Sequence, residues 1–595
     1  MSPDIKSEIE KILRQAVVGG VIQLTAPPNP DMGDWSFACF DLAKKNGKNP
    51  VETAKELANL ICHPERAPQG RVEGSLRNKV FKDSSPVARN DKMAGGLIEQ
   101  VQAAGPYVNF FFNAGAAAEL VLGQIKKQKN KFGASSAKKS EKILIEYPSN
   151  NTHKEVHVGH LRNICIGNAL VKLYEMAGAK VVPINYINDF GAHVAKCLWG
   201  LNNLPAGKKP PVDKQKWLGQ VYAEASKFLA EHPEKKEEIK EYLRQLESKD
   251  KKIWKLFLTT RQWSLDGFAK IFKELGVKHQ TTFFEKDVKD IGQKMVDELL
   301  RRKIAQIGEG GAIIVDLKKF GLDIGLLRKS DGAGLYLTSD LGLAKVKAKK
   351  FPKVTQSVNL TGTEQNFYFK QLFKIMELSG FKYQMTHVSY ELVSLPEGKM
   401  SSRLGNVILY EDLRDEAVAL AESETKKRHA DWGAAKIRST AFALALGALK
   451  FSMIKVGPKQ TISFSIKEAL SFDGFTGPYL QYSVARMNSI LEKTGAKSGG
   501  KNLTILQSGA EKQLVLKLAN FAEAAAESAM KNDPSQLSKY LYELARLFSD
   551  FYERCPVLKA ENKELRNARL ELVKAVKSVM ESGLRILGIP VVKEM

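Results

Sequence analysis

The feature that most restricts the fold of this chain is a strand, a helix and a second strand within residues 143–187. ILIEY (143–147) is a short apolar run of strand length. LRNICIGNALVKLYEMAG (161–178) has the length and pattern of a helix that ends at a glycine, and AKVVPINYI (179–187) again has a strand pattern. This succession predicts a βαβ unit in a parallel sheet, where ligands bind beyond the carboxyl ends of the strands.

The segment between the first strand and the helix contains three of the nine histidines, His153, His157 and His160. A helix N-terminus offers unpaired N–H groups and a partial positive charge, so this position favours an anion. Gly159 leaves room for a flat base or a phosphate near the backbone. On this stretch alone, three alternatives remain open: a nucleotide triphosphate site, a metal site made of imidazoles, and a packed or capping role.

A second candidate segment is LPEGKMSSRLGNV (395–407), a small basic loop between glycines. Its lysine and arginine could close on a triphosphate and stabilise the charge that develops as pyrophosphate leaves. Taken alone, the segment is more typical of a solvated basic turn. The usual phosphate-binding patterns, G-x-x-x-x-G-K-[ST] and a G-x-G-x-x-G after a strand, do not occur in the sequence.

Charge and cysteine usage restrict the partners and the compartment. The net charge of +25, from 91 basic and 66 acidic residues, suggests a polyanionic partner, although a generally basic protein or a protein that binds acidic lipid would also fit. The five cysteines are scattered, which argues for a reducing compartment and against a disulfide framework or a cysteine zinc site. The N-terminus has no signal-peptide pattern, and no apolar run is expected to span a bilayer, so we expect a cytoplasmic protein without membrane contact.

The length of 595 residues predicts roughly three or four domains. We predict an N-terminal domain over 1–135, a catalytic domain over 136–424 with a helical insertion near 201–255, and a helical domain over 425–595. The predicted fold class is α/β: a Rossmann-type parallel sheet with helical insertions, an α+β N-terminal domain and an all-α C-terminal bundle.

Two motifs taken together point to a family. HVGH (157–160) after the first strand and KMSSR (399–403) far downstream resemble the two signatures of class I aminoacyl-tRNA synthetases. The longer run EYPSNNTHKEVHVGHLR, which starts at Glu146, resembles arginyl-tRNA synthetases, as do YLTSD (336–340) and TGPYLQYSVARMNSIL (476–491). The resemblance covers nearly the whole chain and implies a ligase. Such a ligase activates L-arginine with ATP to arginyl-adenylate, releases pyrophosphate, and transfers the arginyl group to the 2′-hydroxyl of the terminal adenosine of tRNA(Arg), releasing AMP.

The resemblance also implies residue roles. Catalytic groups at the phosphates would be Lys154, His157, His160 and Lys399, and ATP would further contact Gly159, Met400, Ser401 and Ser402. Arginine would be bound by Glu146, Ser149, Asn151, His160, Glu285, Tyr336, Asp340 and Gln365. Contacts with tRNA would come from Asn109, Phe111, Tyr479, Tyr482, Tyr552 and Met595. A planar cation with five donors requires carboxylates, so Asp340 is the first choice for the guanidinium and Glu285 the second. Mg²⁺ is expected with ATP, held by phosphates and water without a dedicated protein site, and a monomer is expected.

The sequence departs from the family pattern at a few positions. Ser402 replaces the second lysine of the general class I loop, and Lys154 occupies the position of a lysine thought to compensate for that loss. Tyr368 stands where the family often has histidine, and Pro556 replaces a frequent aromatic residue. Three alternatives are weighed: a cysteinyl-tRNA synthetase, which the scattered cysteines disfavour, a tRNA-binding paralogue that no longer activates arginine, and a metal-dependent hydrolase built on the histidines.

Overall fold

A computed structural model describes the chain over residues 5–16, 22–62, 96–208, 213–332, 334–394, 408–494 and 502–595. The residues form two compact units. The first unit contains residues 1–132, 486–521 and 543–580, and the second contains residues 133–485, 522–542 and 581–595. The boundaries expected at residues 135 and 424 remain a prediction.

The N-terminal part of the first unit is built on an antiparallel sheet of four strands. Its strands are β1 (Leu24–Thr25), β2 (Trp35–Ala38), β3 (Ile98–Ala104) and β4 (Tyr107–Phe112), in the order β1-β2-β4-β3. The accompanying helices are α1 (Ile5–Ala16), α2 (Phe40–Asn46), α3 (Pro50–Cys62) and α4 (Ala114–Gln128). Val108, Phe110 and Phe112 of β4 alternate along the strand and are fully buried, so this face of β4 belongs to the core. The basic stretch 126–142 begins within the last turn of α4.

The second unit is built around a parallel sheet of five strands. The remaining strands of the described residues are β5 (Lys142–Glu146), β6 (Lys180–Ile187), β7 (Thr281–Phe284), β8 (Gln306–Ile307), β9 (Ile313–Asp316), β10 (Ile324–Arg328), β11 (Gln356–Gly362), β12 (Gln384–Tyr390), β13 (Val393–Ser394) and β14 (Ile462–Ser463). The parallel sheet has the strand order β12-β11-β5-β6-β7. β5 and β6 pair in parallel, which confirms the predicted βαβ unit. After β7 the chain returns to the other side of β5 to form β11, so the strand order reverses between β5 and β11.

Helices cover the parallel sheet and form its insertion. They are α5 (Val158–Met176), α6 (Ala192–Asn203), α7 (Lys214–Glu231), α8 (Lys236–Glu247), α9 (Lys251–Glu274), α10 (Glu285–Arg301), α11 (Tyr336–Lys350) and α12 (Asn366–Ser379). The helical insertion comprises α6–α9 and continues to Glu274, beyond the predicted limit near residue 255. A small antiparallel sheet, β10-β9-β8, precedes α11.

The C-terminal part is almost entirely helical. Its helices are α13 (Tyr410–Arg428), α14 (Ala434–Ile454), α15 (Ile466–Ala469), α16 (Gly477–Lys493), α17 (Gly509–Ala519), α18 (Phe521–Lys531), α19 (Ser535–Arg554) and α20 (Lys563–Ile586). Together with the parallel sheet and the N-terminal sheet and helices, they confirm the predicted α/β fold class.

Helix α14 corrects one expectation from the sequence. By length and composition alone it is apolar enough to cross a membrane, whereas no such run was expected. However, 78% of its apolar window is buried within the fold, and the helix packs against α5. A core helix of a soluble protein has this burial, so the length of the apolar run is weak evidence for a membrane span.

Candidate active site

The candidate site lies where the strand order of the parallel sheet reverses. Glu146 ends β5, Gln365 follows β11, and Glu285 follows β7, so all three lie at the carboxyl edge of the sheet. In open parallel sheets this edge, at the reversal point, is where ligands bind. The histidine segment also begins here, because it connects β5 to α5.

His157 and His160 form the N-terminal cap of α5. The backbone N–H of Gly159 donates to Nδ1 of His157, and the backbone N–H of His157 donates to Nδ1 of His160, both at 3.2 Å. The two rings lie 3.8 Å apart between centroids. A Cβ atom on residue 159 would approach the His157 ring to 3.0 Å, so Gly159 makes room for the histidine ring.

These hydrogen bonds determine which nitrogen of each ring is a donor. Nδ1 accepts in both rings, so in the neutral form Nε2 carries the proton. Burial, followed by the charge of Lys154, lowers the pKa of His157 to about 4. Burial, His157 and Lys154 hold the pKa of His160 well below its ordinary value. Near pH 7 the pair therefore presents two neutral N–H donors at a helix N-terminus, a suitable arrangement for phosphate oxygens.

His153 does not join this pair. It is fully buried, with Nε2 2.8 Å from the Thr260 hydroxyl and Nδ1 2.9 Å from the Thr152 hydroxyl. Its ring stacks on Phe257, and burial lowers its pKa to about 3. The three histidines thus do not converge on one point. Within the described ranges, no group of three or more histidine, cysteine, aspartate or glutamate side chains could hold a metal ion.

Lys154 is held beside the histidines by the helical insertion. Its ammonium lies 4.9 Å from the ring centroid of Tyr222, a residue of α7 that the sequence did not single out. Lys196 of α6 lies 5.3 Å from the same ring centroid. The two lysines supply positive charge next to the helix N-terminus, where a triphosphate could be neutralised.

Acidic side chains gather on the other side of the carboxyl edge. Burial and the neighbouring Glu146 raise the pKa of Asp340 to about 7, although a hydrogen bond from the Tyr368 hydroxyl lowers it. Burial, Asp189 and Asp340 raise the pKa of Glu285 to about 8. Carboxyl groups crowded in this way favour a cationic ligand, because a cation removes both the repulsion and the cost of their ionisation.

Two further acids of this region already have protein partners. Glu146 forms a buried ion pair with Lys347 and accepts a hydrogen bond from Asn359 at 3.1 Å. Asp189 is fully buried and accepts a hydrogen bond from Nε of Arg261 at 2.5 Å. These pairs leave Asp340 and Glu285 as the acids best suited to a guanidinium.

The remaining residues predicted to bind arginine lie along the same edge. The backbone N–H of Ser149 donates to the Asn185 side chain at 3.3 Å, and Asn151 pairs with Asn188 in an isolated bridge. Tyr336 is the first residue of α11 and is 72% exposed. Gln365 lies at the start of α12. The contacts of these four residues with arginine stay a prediction.

The basic loop of the second motif lies outside the described residues, and with it Lys399, Met400, Ser401 and Ser402. The described residues on both sides of it are fixed to the histidine helix. The guanidinium of Arg162 donates to the carbonyls of Glu391 and Leu392 at 2.6 and 3.3 Å, and His157 forms an isolated bridge with Leu409. The described segments that flank the loop are therefore held near the start of α5.

Comparison with known proteins agrees with this site. Residues 121–462 match the family described as tRNA synthetases class I (R), catalytic domain, residues 480–595 a DALR anticodon binding domain, and residues 3–68 an arginyl-tRNA synthetase N-terminal domain. The arginine–tRNA ligase of Treponema denticola is 33% identical over 621 aligned residues and is covered over 100% of both chains. The arginine–tRNA ligase of Bdellovibrio bacteriovorus is 33% identical, with 96% of this chain and 94% of the relative covered. The chain belongs to the arginyl-tRNA synthetase family.

A solved structure supports the same family. The Thermus thermophilus arginyl-tRNA synthetase superimposes with a TM-score of 0.81 at 26% identity, over 99% of each chain. Membership of the arginyl-tRNA synthetase family confirms the resemblance, the ligase class and the activity inferred from the sequence, arginine activation and charging of tRNA(Arg). It also implies the use of ATP.

Residues expected to contact tRNA in an arginyl-tRNA synthetase have varied surroundings. Asn109 is buried on β4 and accepts a hydrogen bond from Ser36 at 2.7 Å, whereas Phe111 and Met595 are partly exposed. Tyr482 is 36% exposed. Tyr479 and Tyr552 are partly buried, with Tyr479 packed edge-on against Tyr542 and Tyr552 beneath the guanidinium of Arg486. The tRNA contacts stay a prediction.

Several residues that shape this arginyl-tRNA synthetase site were missed in the sequence. Arg162 lies two residues after HVGH, so its position was a signal, but its carbonyl partners lie more than 200 residues away in sequence. Lys347 lies seven residues after Asp340 and thus on the same face of α11, which could have suggested it. Tyr222 lies in the helical insertion, and no motif marks it.

Proposed function

We propose that this edge of the parallel sheet performs both steps of arginine charging, with the residues divided between two subsites. His157, His160 and Lys154 bind the phosphates of ATP, and Asp340 and Glu285 bind the guanidinium of arginine. The observation that carries this proposal is the juxtaposition of neutral N–H donors at a helix N-terminus with buried carboxyl groups of raised pKa.

In the first step, a carboxylate oxygen of arginine attacks the α-phosphorus of ATP, and the bond to the bridging oxygen of pyrophosphate breaks. The carboxylate is ionised near pH 7 and requires no general base. The protein positions the reactants and stabilises the negative charge that grows on the phosphate oxygens. The Nε2–H groups of His157 and His160 are suited to this task because they need no reorganisation during the reaction.

In the second step, the 2′-hydroxyl of the terminal adenosine attacks the activated carbonyl carbon, the bond from that carbon to the phosphate oxygen breaks, and AMP leaves with the proton of the hydroxyl. We place Lys399 and the serines of its loop at the pyrophosphate, as the family resemblance implies. Mg²⁺ would accompany ATP and supply charge neutralisation on the phosphates, held by phosphate and water oxygens rather than by a dedicated set of protein ligands.

Selection of arginine follows from the carboxyl groups. A guanidinium offers donors in a fixed plane that can satisfy two acidic acceptors, whereas the single ammonium of lysine cannot reproduce that geometry. Leaving a buried acceptor without its donor costs much of the binding energy, so a site built for arginine rejects lysine.

The test is ATP–pyrophosphate exchange by the purified protein with each amino acid in turn, with and without tRNA. The family resemblance implies that adenylate forms only when tRNA is bound. Exchange with arginine alone, and only when tRNA is present, would therefore support the proposed site. Exchange with a different amino acid would overturn the arginine subsite. Tight tRNA binding without exchange under any condition would indicate a paralogue that no longer activates arginine. Sedimentation of the protein tests the proposed monomer, and cell fractionation tests the proposed cytoplasmic location.

A further inference from the structure

One face of helix α7 in the insertion lies along residues Lys154 and Glu155. Gln215 donates from Nε2 to the carbonyl of Lys154 at 3.0 Å. A Cβ atom on Gly219 would come within 2.0 Å of the Glu155 side chain, so the two backbones approach closely there. Tyr222 places its ring beside the Lys154 ammonium, 4.9 Å from the centroid. Residues 215, 219 and 222 are spaced by four and three, so they share one face of the helix.

Such a contact has a specific use for a lysine that binds phosphate. The lysine side chain has four methylene groups joined by rotatable bonds, so fixing it in one orientation costs conformational entropy. An aromatic face attracts an ammonium and restricts it without neutralising it, whereas a carboxylate would cancel the charge that the phosphates require. Gln215 fixes the backbone of Lys154, and Tyr222 restricts its side chain.

We propose that Tyr222 is a positioning residue that holds the Lys154 ammonium at the triphosphate subsite, so that the helical insertion takes part in adenylate formation. This inference rests on the proposed role of Lys154. It assigns a function to an element that no signature motif marks.

Neighbouring charges support this role. Lys196 shares the Tyr222 ring at 5.3 Å and lies 3.4 Å from the Ser226 hydroxyl, so two ammonium groups flank one ring. This accumulation of positive charge would be relieved by a polyanion such as triphosphate. The charge of Lys154 also contributes to the lowered pKa of both His157 and His160, which agrees with its position at the helix N-terminus.

The test uses substitutions that separate the ring from its hydroxyl. Tyr222→Phe keeps the aromatic face, and we expect arginine-dependent pyrophosphate exchange within about twofold of the unmodified protein. Tyr222→Leu removes the face, and we expect kcat to fall about tenfold while KM for arginine stays unchanged. Tyr222→Trp should restore most of the rate. Equal losses for the Phe and Leu variants would overturn the proposal, because the hydroxyl or the fold of the insertion would then be responsible.

Tyr242→Leu is the matched control for loss of a tyrosine from the same insertion. Tyr242 lies on α8, packs in the insertion core and accepts a hydrogen bond from Asn202 at 3.0 Å. We expect its replacement to lower the melting temperature and leave kcat at assay temperature within about twofold. A loss of kcat equal to that of Tyr222→Leu would overturn the proposal, since any loosening of the insertion would then be sufficient.

A double-mutant cycle with Lys154→Met provides the decisive comparison. If Tyr222 acts through Lys154, then Tyr222→Leu in the Lys154→Met background causes less than a twofold further loss. If the double variant instead shows the product of the two single-variant losses in rate, the proposal is overturned. Full activity of Lys154→Met would remove the proposed role of Lys154 and this inference with it. If Lys154→Met is inactive but Tyr222→Leu has a normal rate, the proposed role of Lys154 stands and only the inference about Tyr222 is overturned.

Discussion

The Tyr368 hydroxyl donates a hydrogen bond to Oδ2 of Asp340, the carboxyl group proposed to bind the guanidinium. The bond leaves Oδ1 of Asp340 for a ligand. Burial raises the pKa of Asp340 to about 7. The hydrogen bond from Tyr368 acts in the opposite direction, because it stabilises the ionised carboxylate.

This relationship predicts the pH dependence of arginine binding. Only ionised Asp340 attracts the guanidinium strongly, so KM for arginine should fall as pH rises through about 7. Tyr368→Phe removes a contact that lowers the Asp340 pKa, and the fall in KM should therefore move to higher pH. The measurement is KM for arginine between about pH 6 and 9 in both proteins. KM for ATP is the internal control, and an identical arginine profile in the two proteins would contradict the assigned role of Tyr368.

The carboxyl groups should also affect stability in the absence of arginine. Glu285 has a folded pKa near 8, above its value in an unfolded chain, so the folded state binds more protons than the unfolded state between about pH 4 and 8. The free energy of unfolding should therefore decrease as pH rises through this window. Glu285→Gln should reduce this decrease, as measured by denaturant titration at several pH values. A variant with an unchanged slope would show that Glu285 is not the titrating group.

His157 combines a capping role with a proposed catalytic role, and two substitutions separate them. Asparagine is a good N-cap, so His157→Asn should retain the melting temperature, whereas His157→Ala should lose about 1 kcal/mol of stability. Both variants lose the Nε2–H donor, and both should reduce kcat for exchange by about a hundredfold. Thermal unfolding and exchange are measured on the same preparations. If His157→Asn kept the full rate, the histidine would be a cap only.

The buried pair of Glu146 and Lys347 predicts a large stability effect. The two side chains are only 9% and 6% exposed, so Lys347→Met would leave a buried carboxylate without its counter-charge. We expect a loss of about 3–5 kcal/mol in the free energy of unfolding. The double variant with Glu146→Gln removes both charges and should recover most of that loss. A double variant as unstable as Lys347→Met would indicate that packing, not charge, is responsible.

The sequence was a good guide where the information is local. The βαβ unit follows from strand and helix patterns in one continuous stretch, and the helix predicted to begin at Leu161 begins three residues earlier, at Val158. It could not show that His153 turns into the core, because its partners Thr260 and Phe257 belong to the insertion, about a hundred residues away. The same holds for Tyr222, whose relation to Lys154 exists only after α7 packs along the histidine segment.

The two tyrosines of α16 offer the sharpest test of tRNA binding, because they differ in environment. Tyr482 is 36% exposed and free to stack on a base, whereas Tyr479 packs edge-on against Tyr542 with ring centroids 5.6 Å apart. Stacking of one base contributes about 1–3 kcal/mol, so Tyr482→Ala should raise KM for tRNA in aminoacylation by about tenfold or more. Tyr482→Phe keeps the ring and should not. Tyr479→Ala should instead lower the melting temperature, since it removes an aromatic contact within the fold. A change in KM for tRNA caused by Tyr479→Ala and not by Tyr482→Ala would reverse the assignment of the stacking surface.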